Sequence, residues 1–161
     1  MAGYKIRTLE ESCLRETSSP VSENRKGLCP MLDEMAATMK KSGGVGLAAP
    51  QVGVNERIII LDAGEGLVEI INPEISAPEG SECMAEGCLS VPGAEVEVRR
   101  AEKILLKGLD RNFKPVEHRL EGLSARIAQH EIDHLDGILI VDHMSIIKRK
   151  LFEKKWKKSS K

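Results

Sequence analysis

Aromatic residues are scarce: Tyr4, Phe113, Phe152 and Trp156 make up 2% of the 161 residues. That excludes a reader of single-stranded nucleic acid built on ring stacking, which needs several aromatic platforms. No apolar run approaches the ~18–20 residues that cross a bilayer, so no segment spanning a membrane is expected. The first sixteen residues lack the charged-then-apolar plan of a secretory signal and carry too many acids for a transit peptide, which predicts a soluble cytosolic protein. Cys13, Cys29, Cys83 and Cys88 are few, irregularly spaced and without a CxxC, so they predict reduced thiols and not a disulfide framework. Each thiol is then available as a nucleophile or metal ligand.

What the chain does contain is an ordinary globular mixture, 41% hydrophobic and 30% charged. Its length predicts a single domain over 1–161. The net charge of -1 hides a split: Lys148 to Lys161 holds eight Lys/Arg and one Glu, leaving 16 basic and 24 acidic residues elsewhere. A basic end on an acidic body points to a polyanionic partner, RNA or a membrane surface, with a solvated helical end an equal alternative from charge alone. Ile147, Leu151 and Phe152 recur there at helical spacing, which predicts a helix docked by that face.

Helical spacing of Leu28, Met31, Leu32, Met35 and Met39 predicts a helix within Asn24–Lys41, with Pro30 in its first turn and Ser42-Gly43-Gly44 ending it. From Val45 to Leu120 the signals are those of strands: Arg57–Leu61, Val68–Ile75 with an edge or bulge at Asn72-Pro73, Glu95–Arg99, and Lys103–Leu109 before an Asp110-Arg111-Asn112 turn. A second helix is expected from Gly122 to Leu135, with Ser124 a candidate start and Asp136-Gly137 the stop. Helices flanking a block of strands give an α+β class.

The second helix carries His130-Glu131-Ile132-Asp133-His134, an HExxH. Residues four apart share a helical face, so both imidazoles can reach one cation and Glu131 can serve as base toward water. Two surface histidines on a charged helix is the competing reading. His118 and His143 are read as surface residues. Glu86-Gly87-Cys88-Leu89-Ser90 offers a thiolate upstream, and a cysteine with two histidines recurs at catalytic zinc; a buried structural thiol is the plainer alternative. Gly44-Val45-Gly46-Leu47-Ala48-Ala49-Pro50-Gln51-Val52-Gly53 lets another backbone approach, and Gln51 alone in it can donate from a side-chain amide. With Pro50 obstructing a helix, it is not a phosphate cradle.

In this order the three segments resemble the signature of peptide deformylases: GφGφAAxQ, EGCxS, HExDH. The resemblance implies short-stranded, largely antiparallel sheets around a central HExxH helix, with helices at both ends. It implies a metal held by Cys88, His130 and His134, with Fe(II) the physiological ion and zinc, nickel or cobalt accepted. It implies hydrolysis of the formyl group from N-formylmethionyl nascent peptides. In that reaction Glu131 handles the proton, while Gln51 and the Leu89 backbone N–H serve the oxyanion. Val45, Met84, Leu123 and Ile127 would line the methionine pocket, Gly46 and Gly87 pair with the substrate backbone, and Glu86 with Arg100 brace the cysteine turn. It further implies a monomer whose Lys148–Lys158 helix docks on the ribosome near the exit tunnel. The chain departs from the resemblance at Glu11-Ser12-Cys13-Leu14-Arg15, which replaces a proline-containing turn and affects entry to the first helix. Two rivals are an HExxH metallopeptidase, which leaves Cys88 and Gln51 unexplained, and an inactive ribosome-binding module, which leaves the intact ligands and Glu131 unexplained.

Overall fold

Four consecutive apolar residues, Ile58-Ile59-Ile60-Leu61, are buried on both sides of strand β2 (Ile58–Leu61). Such a run needs cover on both faces, and in the computed structural model, which describes residues 3–159, it has that cover. Helix α1 (Leu28–Lys41) packs with Ile58 and Ile60 through Leu28, Met31, Leu32, Met35 and Met39. Helix α2 (Leu123–Leu135) packs with Ile59 and Leu61 through Ala125, Ile127, Ala128 and Leu135. Each of these large side chains contributes about 1.5–3 kcal/mol by leaving water. Their alternation pins the strand register, since a one-residue slip would exchange the two faces.

β2 sits second in an antiparallel sheet of order β1-β2-β3-β6-β7, with β1 (Gly46–Ala48), β3 (Val68–Glu79), β6 (Lys103–Leu109) and β7 (Pro115–Glu121). A separate hairpin pairs β4 (Glu82–Glu86) with β5 (Val96–Arg100). The architecture is therefore α+β with antiparallel sheets around the HExxH helix α2, as expected. β4 has no period-2 pattern, because Glu82 to Ala85 are all exposed; the sequence alone did not single it out.

Several boundaries differ from expectation, each for a local reason. α1 begins at Leu28 and not Asn24, because Gly27 takes a left-handed φ of 74° just before it. Asn72-Pro73 is a bulge inside β3, not an edge: the register shifts between Ile71 and Glu74, and Asn72 has φ 53°. The Asn72 amide accepts from Val21 N–H at 2.8 Å and donates to Val21 O at 3.1 Å, tying down the N-terminal segment. Pro50 does not prevent helix formation: Ala49–Val52 is one 3₁₀ turn. Proline's missing N–H costs nothing in a first turn. Ser124 does not cap α2; its hydroxyl donates to Glu121 O.

The C-terminal helix α3 (Ile146–Ser159) docks through Phe152, as expected, but not through Ile147 or Leu151. Ile147 and Leu151 are 74% and 59% exposed, while Phe152 and Trp156 pack on the third apolar cluster, built from Leu14, Val91, Val96, Val98 and Leu139–Val141. Two rings one turn apart bury more area than two aliphatic side chains, and Arg149 pairs with Asp142 at 3.0 Å on the same side. Ser160 and Lys161 of the basic run lie outside the described residues. The Ser12–Arg15 departure forms a 3₁₀ turn that buries Leu14 and leaves α1's start to Gly27.

Candidate active site

α2 brings His130 and His134 one turn apart, with ring centroids at 5.1 Å. Cys88 follows β4 in a turn closed by Val91 N–H donating to Cys88 O. Its sulfur lies 3.3 Å from His134 Nε2. One donor atom from each of Cys88, His130 and His134 falls within 4.8 Å of the others. His130 Nδ1 is 2.9 Å from Glu86 Oε1, an acceptor when ionised, so Nδ1 carries a hydrogen and Nε2 is the nitrogen left for the cluster.

This donor set suits a divalent transition ion: one soft sulfur and two imidazole nitrogens is a known catalytic combination. Two further observations fit. Glu131 Oε1 is buried without a hydrogen-bond partner among the described residues, 4.0 Å from His134 Nε2. An unpaired carboxylate oxygen so deep is costly unless something charged faces it. Burial also pushes the Glu131 carboxyl up to about 7, against the pull of His130 and Arg100. Burial drives His134 well below the usual imidazole range, keeping its lone pair available. At His130 burial acts the same way but is outweighed by Cys88 and Glu86, which raise it.

A cleft of about 460 Å³ opens in front of the cluster. Val45, Gly46, Gln51, Met84, Glu86, Gly87, Leu89, Leu123, Ile127 and Glu131 all line it, with Cys88 and His130 at its floor. Arg100 and His134 stand behind that lining. Val45, Met84 and Leu123 are each about half-exposed and form an apolar rim to the cleft. Gln51 Oε1 accepts from Ala48 N–H at 2.9 Å, which fixes the amide so that Nε2 faces Ser90 Oγ (3.1 Å) and Cys88 Sγ (3.7 Å). Gly46 has to be glycine here: a Cβ would stand 2.5 Å from Glu131 Oε2 and 2.6 Å from Ile127 Cγ2.

Residues 3–150 match the sequence profile of the family described as Polypeptide deformylase. The chain belongs to the peptide deformylase family. A peptide deformylase of Pelotomaculum thermopropionicum is 50% identical over 149 residues, covering 92% of this chain and 96% of that protein. The crystal structure of a peptide deformylase from Legionella pneumophila superposes with a TM-score of 0.92 at 43% identity, over 99% of this chain and 96% of that one. A class I type b peptide deformylase from Acinetobacter baumannii, solved with Met-Ala-Ser bound, gives 0.83 at 36% identity over 89% and 99%.

The deformylase cleft has supports that sequence reasoning missed. Arg126 Nη1 reaches Glu86 Oε2 at 2.6 Å. Asp133 accepts from Arg100 Nη1 at 2.6 Å and lies 3.2 Å from His143 Nε2, so His143 is exposed, as expected, but has a partner in the centre's surroundings. Ser90 is fully buried beside Gln51. Arg126 left one trace in the sequence: a cation one turn before His130, among the alanines and Ile127 of the buried face.

Proposed function

We propose that Cys88, His130 and His134 hold one divalent cation and that the cleft hydrolyses the formyl amide of N-formylmethionyl nascent polypeptides, releasing formate. The observation that carries this reading is the convergence of one thiol and two imidazoles beside a buried, unpartnered carboxylate oxygen of Glu131. A cation in this donor set supplies Lewis acidity, which lowers the pKa of water toward ~7.

The protein's own groups do the rest. Glu131 takes the proton of the attacking water and later delivers it to the leaving amine nitrogen. The carbonyl oxygen gains charge during attack, and Gln51 Nε2 with the Leu89 backbone N–H donate to it. Val45, Met84, Leu123 and Ile127 receive the methionine side chain. Gly46 and Gly87, with little bulk, let the peptide backbone lie alongside as an added strand. The Met-Ala-Ser held by the Acinetobacter relative has the free methionine end that this reaction leaves. Glu86 and Arg100 orient His130 from behind.

Anaerobic formate release from formyl-Met-Ala-Ser, with metal analysis of the same sample, tests the reading. Formate without peptide-bond cleavage is expected, and cleavage of unformylated Met-Ala-Ser would favour a metallopeptidase instead. No turnover from fully metallated protein would favour the inactive module. We propose Fe(II) as the cellular ion, with zinc, nickel and cobalt as substitutes; a thiolate ligand then makes activity oxygen-sensitive. For Gln51→Leu, kcat should fall about 10²–10³-fold, the usual effect of losing one oxyanion donor, with metal content near wild type. Unchanged turnover would remove Gln51 from the mechanism.

We further propose that the chain acts as one catalytic domain, monomeric and in the bacterial cytoplasm, and that the α3 cations from Lys148 to Lys158 contact ribosomal RNA near the exit tunnel. Phosphate contacts release counterions, so binding should weaken steeply between 50 and 200 mM salt. Co-sedimentation with ribosomes should be lost when Lys148, Lys150 and Lys154 are replaced by glutamine. Equal binding by that variant at low salt would reduce α3 to a solvated helix.

A further inference from the structure

Arg126 stands on α2 one turn before His130 and is buried, 7% exposed. Its guanidinium makes three contacts in a fan. Nη1 donates to Glu86 Oε2 at 2.6 Å and to Val98 O at 2.9 Å; Nη2 donates to Glu82 O at 2.7 Å. We propose that Arg126 is a positioning residue for the metal centre: by clamping Glu86 and the β4–β5 hairpin to α2, it fixes the direction in which His130 Nε2 meets Cys88 and His134. This rests on the reading that those three residues are the ligands.

Glu86 is the link. Its Oε1 faces His130 Nδ1 and accepts from Arg100 Nη2, each at 2.9 Å; its Oε2 accepts from Arg100 Nε at 3.0 Å and from Arg126 Nη1. Arg100 grips both oxygens from one side and is itself tied to α2 through Asp133 at 2.6 Å. Arg126 approaches from α2 itself, so the carboxylate is referenced to the same helix that carries His130. The Val98 and Glu82 contacts hold both strands of the hairpin leading to Cys88 against that helix. Arg126 thus bridges the two elements that supply all three ligands, at a second point beside the Arg100–Asp133 link.

Charge is only part of what Arg126 brings: a guanidinium near a cation site repels the cation, and Glu86 already has a counter-charge in Arg100, which it shares with Asp133. What Arg126 adds is geometry, and three acceptors spread around a planar fork suit arginine and not lysine.

The test uses Co(II)-loaded protein and two readouts besides turnover: the thiolate-to-Co(II) absorption band and the rate of Co(II) loss to a chelator. Arg126→Met should weaken Co(II) binding about 10–100-fold, the usual cost of losing an orienting contact behind a metal ligand, and shift the band. In a Glu86→Gln background the same substitution should have much less effect, because the pathway runs through Glu86. Should Arg126→Met fail to fold, Arg126→Lys carries the test: it keeps charge and volume and should show a several-fold loss, whereas wild-type retention would overturn the inference. Unchanged or tighter Co(II) binding by Arg126→Met, or an equal effect in both backgrounds, would also overturn it while leaving the ligand assignment intact. Absence of the thiolate band in wild-type protein would instead remove the ligand assignment, and this inference with it.

Discussion

Glu131→Gln is expected to lower formate release about 10²–10⁴-fold, the range over which a positioned acid–base group contributes, while bound metal stays near one per chain. The amide keeps the shape of the carboxylate, so its fit beside Gly46 survives and the carboxylate's capacity to accept a proton is lost. Steady-state assays on metal-quantified protein check this; wild-type turnover would assign the base elsewhere. The same variant has a second consequence in metal-free protein. Burial holds the Glu131 pKa at about 7, above its ordinary 4.5. Between those values the native state binds a proton that the unfolded state has released, so stability falls as pH rises through this window. The difference amounts to about 3 kcal/mol at full extent. Metal-free Glu131→Gln should therefore lose less stability than wild type between pH 5 and 7, measured by denaturant midpoints. Parallel pH profiles would contradict the account.

Much of the centre was legible in the sequence because its pieces are local. His130 and His134 share a helical face by spacing alone, and Gln51 stood out as the one polar side chain in a small-residue run. Cys88 was legible through the motif around it. The supports were not legible, since Arg126–Glu86 spans 40 residues and His130–Glu86 spans 44, distances that no periodicity reports. β2 is legible because its apolar run faces cores on both sides, and β5 because it alternates cleanly. β4 was missed because its role is to form a cleft wall, with side chains in water and pairing supplied by β5. In α3 the periodicity was real but the stripe was misjudged by one residue, about 100° around the helix. Ile147 and Leu151 face outward among lysines, and the aromatic pair carries the contact.

Glu86→Ala is expected to have the largest effect on the fold and the centre together. The carboxylate is 6% exposed and accepts from Arg100 twice and from Arg126, with His130 Nδ1 against it. Removing it leaves Arg100 with Asp133 alone and Arg126 with only two backbone carbonyls. Breaking a buried pair from one side costs about 3–5 kcal/mol, because the remaining charge has lost its compensation. His130 also loses the acceptor that sets its tautomer, so metal affinity should drop about 10–100-fold. Glu86→Gln separates the two effects: the amide keeps the volume and one acceptor oxygen, and it should recover part of the stability while metal binding remains weak. Acid sensitivity adds an independent check. Burial works against the Glu86 carboxylate, but His130 and Arg100 hold its pKa far below the ordinary range. A depressed native pKa gives stability that is complete above the unfolded value near ~4.3 and is lost as pH falls toward the native one. Wild-type metal-free protein should thus lose stability below about pH 4.3, and Glu86→Gln should lose less over the same interval. Equal denaturant midpoints for wild type and Glu86→Ala at pH 7 would mean that the two arginines are hydrated in the native state and that the network holds neither the helix nor the hairpin.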